Sequence, residues 1–165
     1  MNSSQLLAMI PLVPLLAMLA VFATARWPNV REAVSVLAGL LLFGLVVMLV
    51  RQVDSQAAPT FVLAEPFPGL ALALSPEPLG MLFALVASFL WPVTTVYSIG
   101  YMRAHHEENQ TRFYAAFAAS IAATMGIALA SNMLTLFLFY ELLTLATYPL
   151  VTHAGDADAR RGGRV

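Results

Sequence analysis

Long apolar runs separated by short polar breaks set the pattern of this chain. The first runs from Leu6 to Ala25 and ends at Arg26-Trp27-Pro28-Asn29. The second covers about Ala33 to Val50, interrupted only by the small residues Ser35, Gly39 and Gly44. The third begins at Pro78, a residue suited to the first helical position, and reaches about Tyr101. The fourth spans Phe113 to Ala130 and the fifth Met133 to Val151, with only Ser131 and Asn132 between them. About 20 apolar residues suffice to cross a bilayer as a helix. The pattern predicts an all-α polytopic membrane protein: one transmembrane domain over residues 1–165, with five transmembrane helices. The last two helices should form a tight antiparallel pair. The long connection 51–77 contains the short run Gly69 to Leu74, too short to span, which reads as a strand or a loop on the rim. Prolines 59, 66, 68 and 76 around it argue against a long regular element.

Composition strengthens this reading. Of 165 residues 60% are hydrophobic and only 10% charged, against roughly a quarter charged in soluble domains. A formal net charge of -1 gives no reason to expect nucleic acid. There is no cysteine, so disulfides, thiolate metal sites and cysteine-held clusters are excluded within the chain. Every basic residue is Arg and none is Lys. Ala23-Thr24-Ala25 has the small residues of a signal cleavage site, but Met1 to Gln5 carries no basic residue and Pro11 and Pro14 interrupt the run. The first run therefore reads as a retained helix.

Charge also predicts orientation. Arg26 and Arg31 fall in the first loop, Arg103 and Arg112 in the third, and Arg160, Arg161 and Arg164 in the tail, all on one side of a five-span bundle. Only Arg51 lies on the other. The positive-inside rule then places the N-terminus and loop 51–77 outside and the C-terminus in the cytoplasm.

One acid stands apart. Glu141 lies in the middle of the fifth run, where a carboxyl group is costly and commonly serves ion or proton movement. Thr144 and Tyr148 follow at three and seven positions, on the same helical face, and Phe137 precedes it by four. A buried carboxyl tying neighbouring helices together is the alternative. Pro149 reads mainly as helix termination, and Pro92 predicts a kink in the third helix. The segment Arg103 to Arg112 holds His105, His106, Glu107 and Glu108. Their consecutive spacing does not reproduce a His-Glu-x-x-His metal site, so no metal is expected. A solvated connecting face is the plain reading. His105 and His106, with His153 beyond the fifth run, are candidates for cytoplasmic proton access because histidine titrates near neutrality.

The stretch Tyr97-Ser98-Ile99-Gly100-Tyr101-Met102, then His106 to Tyr114, then Ser120 to Gly126 and Phe139 to Val151, resembles the antiporter-like subunits of energy-converting membrane complexes. The resemblance is to the D-type subunit of multisubunit (Mrp-type) monovalent cation/proton antiporters. Membrane-arm subunits of NADH–quinone oxidoreductase and membrane-bound hydrogenases are related to it. It covers the second half of the chain by motif. The first half matches in layout, including the entry Glu77-Pro78-Leu79-Gly80.

This resemblance implies that Glu141 is the fifth-helix glutamate that communicates with a lysine on a later helix to gate proton transfer, with Thr144 and Tyr148 in support. It implies an inner-membrane transporter subunit, not a self-contained catalyst, and one possible setting is an NADH–quinone oxidoreductase-like complex. Redox cofactors would belong to other subunits, so none is expected here. Family members carry many more helices than five, and their lysine is missing from this chain. The expected partners are therefore other hydrophobic subunits, including a lysine-bearing chain that completes the fold, with protons and sodium or potassium as the ions moved. A non-transporting scaffold that keeps the family fold is the alternative.

Overall fold

The computed structural model describes residues 2–53, 59–105 and 109–152. Five helices appear in chain order: α1 (Ser3–Ala23), α2 (Pro28–Gln52), α3 (Pro78–Ala104), α4 (Gln110–Ala128) and α5 (Met133–Val151). Between α2 and α3 a hairpin pairs β1 (Phe61–Phe67) with β2 (Leu70–Leu74). α1, α2, α3 and α5 are each long and apolar enough to cross a membrane. The protein is a helical, multi-pass membrane protein.

Packing follows small and apolar residues at helical spacing. α1 buries Leu6, Leu7, Ile10, Val13, Ala17 and Val21, while Leu12, Leu16, Leu19 and Phe22 on the opposite side stay exposed. A helix apolar on all faces has no soluble surface to show, which is the signature of a membrane segment. α1 packs on α2 and α4, α2 also on α3, and α4 also on α5. α4 thus lies among neighbours, and most of its buried residues are small: Ala115, Ala116, Ala118, Ser120, Ala122, Ala123 and Gly126, beside the larger Tyr114 and Met125. Small residues let helix backbones approach closely where no hydrophobic effect drives them together. At Gly126 an added Cβ would collide with the Phe139 ring of α5, so only glycine admits that ring. α4 opens on the polar residues Gln110, Thr111 and Arg112, and it is not among the four candidate spans. A helix covered by protein does not need a lipid-soluble exterior.

Several boundaries differ from those read in the sequence. α2 starts at Pro28 and takes Arg31 and Glu32 into its first turns, and α3 runs on to include Arg103. α4 begins at Gln110 and stops at Ala128, and α1 stops at Ala23. Apolarity marks the lipid-compatible stretch, but hydrogen bonding continues for as long as polar side chains find partners. Proline does not end the helices either: α1 passes through Pro11 and Pro14, and α5 continues past Pro149 to Val151.

Loop 51–77 contains a strand pair where the sequence left strand or loop open. Pro68 and Gly69 make its turn, with Gly69 at φ 81°, the left-handed value that the second central residue of a type II turn requires. Register irregularities flank Ala64 in the Pro66-bearing strand, as expected where proline cannot donate to a ladder. The hairpin is fastened to the α4–α5 turn. Ser131 donates to Ala73 O from both its amide (3.0 Å) and its hydroxyl (2.8 Å), and Asn132 Nδ2 donates to Ala71 O (2.7 Å). Ser75 N donates to Leu129 O (2.8 Å), and Ala73 N to Thr135 Oγ1 (3.0 Å). Asn132 also caps α5, its Oδ1 accepting from Thr135 N at 2.9 Å. The molecule therefore has a hairpin end and, opposite it, an end where Arg31, Arg103 and Arg112 gather.

Candidate functional site

α5 positions Glu141. The helix packs on α4 and touches β2, and Thr135 is its only buried residue. Glu141 lies on the uncovered surface with Tyr140, Leu142, Thr144, Leu145 and Tyr148. The sequence reading placed a buried carboxyl here. The structure instead turns it outward, because the small-residue face of α4 receives Phe139 and leaves the next positions of α5 pointing away. No side chain among the described residues pairs with the Glu141 carboxyl.

The hydroxyls near it are partly committed. Thr144 Oγ1 donates to Tyr140 O at 3.1 Å, and Thr147 Oγ1 donates to Leu143 O at 3.0 Å. Each uses its proton on the helix backbone, leaving only lone pairs to accept from water or from a protonated acid. Tyr148 is exposed on the same helix.

The histidines do not assemble with Glu141. His105 follows α3 directly, exposed, with Nδ1 3.0 Å from Tyr101 O and its ring stacked on Tyr101 at 4.2 Å between centroids. His106, Glu107, Glu108 and His153 lie outside the described residues.

A second polar constellation, at the arginine end, was not anticipated. Arg31 and Glu32 are each only 5% exposed. Arg31 reaches α4, donating from Nη1 to Thr111 Oγ1 (2.9 Å) and from Nη2 to Gln110 Oε1 (2.7 Å). Its guanidinium carbon stands 5.4 Å from the centroid of the Tyr114 ring, a cation–π distance. Arg103 of α3 pairs with Glu32 through Nε and Nη2, and Nη2 also donates to Asn29 Oδ1 (2.6 Å). Tyr114 Oη and Arg31 Nε are buried with no hydrogen-bond partner among the described residues. The cluster bolts α2 to α3 and α4. The available signal was Arg31-Glu32 beside a proline-started helix, but its partners lie about 70–80 positions away. Arg112 Nη2 adds a link from α4 to the end of α5, donating to Thr152 Oγ1 at 3.3 Å.

No family model matches the chain. The Na(+)/H(+) antiporter subunit A1 of Staphylococcus aureus strain bovine RF122 / ET3-1 is 31% identical over 91 residues, 55% of this chain and 11% of that protein. The same subunit from strain JH9 gives the same figures. A chain of the membrane-bound sulfane sulfur reductase, an archaeal respiratory membrane complex, superposes with a TM-score of 0.83 at 17% identity, over 97% of this chain and 33% of that one. The chain thus spans about a ninth of the length of these curated relatives and a third of that solved chain. It is a distant relative of Na(+)/H(+) antiporter subunits and shares its fold with part of a respiratory membrane complex.

Proposed function

We propose that this chain is a proton-handling part of a multisubunit cation/proton antiporter or a related energy-converting complex, similar to the N-terminal part of a D-type subunit. In this reading all five helices cross the bacterial inner membrane, with the N-terminus and hairpin outside and the arginine end in the cytoplasm. The observation that carries it is Glu141, a carboxyl on the open face of an apolar helix. A carboxylate facing lipid is costly, so protein or a water-filled passage covers that face in the assembly. Other hydrophobic subunits supply the cover. A lysine among them meets Glu141, and the acid takes up a proton when the lysine's charge withdraws. The matched relatives are Na(+)/H(+) antiporter subunits, which supports this assignment of ions.

The expected outcome for Glu141→Gln is normal insertion with loss of proton coupling. The check is dye-detected proton movement in inverted vesicles that carry the complete assembly. A normal rate in that variant sinks the mechanism. The competing reading is a non-transporting scaffold, favoured by the absence of Lys from the chain and by the engagement of the Thr144 hydroxyl with its own helix. Affinity purification from native membranes in mild detergent separates the two. Recovery with a lysine-bearing antiporter-like chain supports transport, and recovery without one supports the scaffold.

A further inference from the structure

α2 and α3 flank an open groove. Its floor is the contact of Gly39 with Pro92, where an added Cβ on Gly39 would stand 3.0 Å from Pro92 Cδ. Its walls are Val36, Leu40 and Phe43 from α2 and Phe89, Val93 and Val96 from α3, and it is open along its length with a volume of about 440 Å³. Phe43 and Phe89 stand at one end with ring centroids 5.6 Å apart. At the other end a second hollow of about 410 Å³ shares Val36 and is bordered by Asn29, Glu32, Ile99 and Arg103. The combined feature is apolar along its length and polar at one mouth.

Its dimensions suit one leaflet. From Glu32 to Phe43 the helix rises about 16 Å at ~1.5 Å per residue, close to half of a hydrocarbon core of ~30 Å. The charge that the mouth exposes is that of Arg103. Glu32 is enclosed, its side chain 6% exposed, whereas the Arg103 side chain that pairs with it is 53% exposed. Arg103 spends Nε and Nη2 on Glu32 and Asn29, and among the described residues Nη1 meets no acceptor. Glu32 and Arg103 cancel in net charge, so the mouth offers an exposed guanidinium edge, with Nη1 free among the described residues, and not a surplus charge.

We propose that this groove binds an anionic phospholipid, with one acyl chain lying between α2 and α3 and the phosphodiester against Arg103. A guanidinium is well suited to phosphate oxygens. The groove stops at the phenylalanine pair, midway through a bilayer, where an acyl chain ends and a spanning helix of another subunit would continue. The site lies apart from Glu141 and does not rest on the transport reading.

The test uses phosphatidylglycerol carrying a photoreactive diazirine partway along one acyl chain, added to membranes that hold the assembled protein. Labelled residues are then mapped by mass spectrometry. The label is expected to concentrate on Val36, Leu40, Phe89, Val93 and Val96. Unlabelled phosphatidylglycerol should compete about fivefold better than phosphatidylcholine, the effect of one basic residue at an anionic lipid surface. Val93→Trp fills the groove without touching the Arg103 pair and should remove most of the label. Arg103→Gln should retain label but erase the preference between headgroups. Label spread evenly over the exposed faces of α1, α2 and α3 overturns the proposal, as does label unchanged by Val93→Trp. So does displacement by inorganic phosphate, which would mean a soluble-anion site, or label in the groove replaced by a peptide of another subunit.

Discussion

Arg31 and Glu141 are two charged side chains with opposite fates. Arg31 sits in the interior, each Nη nitrogen bonded to a neutral oxygen on α4 and its guanidinium carbon over the Tyr114 ring. Glu141 sits on the surface of the isolated chain with no counter-charge among the described residues. Glu141 was legible in the sequence because a single acid in an apolar run needs no partner to be noticed. The role of Arg31 was not, because the residues that satisfy it come from another helix. Removing a buried, charged donor should cost more than removing an exposed charge. Arg31→Ala is expected to destabilise the bundle by about 2–3 kcal/mol through lost charge-assisted hydrogen bonds and lost packing of its stem. A lowered unfolding midpoint of the purified protein in mild detergent is the check. An unchanged midpoint would mean that the cluster does not hold the helices together.

Among the elements, α4 is where reading by apolarity worked least well. Its run was recognised, but its ends moved and it is not among the helices long and apolar enough to cross a membrane. What fixes its position is close backbone approach. Gly80, in the first turn of α3, faces the carbonyl of Ala128 at the end of α4, and a Cβ there would overlap that backbone oxygen. A backbone atom cannot swing aside as a side chain can. Gly80→Ala should therefore destabilise the hairpin end by about 1–3 kcal/mol, the usual cost of overpacking. Gly100→Ala in the same helix meets nothing within 4 Å. It should unfold at or slightly above the wild-type midpoint, since alanine favours a helix over glycine. Equal effects of the two substitutions would show that the Gly80 contact is unimportant.

For the whole molecule, the alternation of helices places loops at two distinct ends, and the arginine-rich contacts join at one of them. The positive-inside rule turns that geometry into an orientation. The chain has no cysteine, so single introduced thiols report cleanly. Val62→Cys on the exposed hairpin should react with a membrane-impermeant maleimide in cells whose outer barrier is opened but whose inner membrane is intact. His105→Cys at the arginine end should react only after the inner membrane is permeabilised. The reverse pattern would invert the topology, and labelling of both from outside would rule out an odd number of crossings between them.

The sequence by itself determined where the chain is compatible with lipid, because hydrophobic length is a local property that a bilayer reads directly. The runs of α1, α2, α3 and α5, the proline at the start of α3, the tight α4–α5 turn and the isolated acid on α5 were all visible in that way. Tertiary structure decided what depends on distant partners. It carried α2 and α3 past their apolar runs so that Glu32 and Arg103 could pair, and it folded the proline-bearing loop into a hairpin pinned by Ser131 and Thr135. It also set which side of α5 is covered: the glycine of α4 accepts Phe139, and that single packing choice leaves Glu141 on the open face.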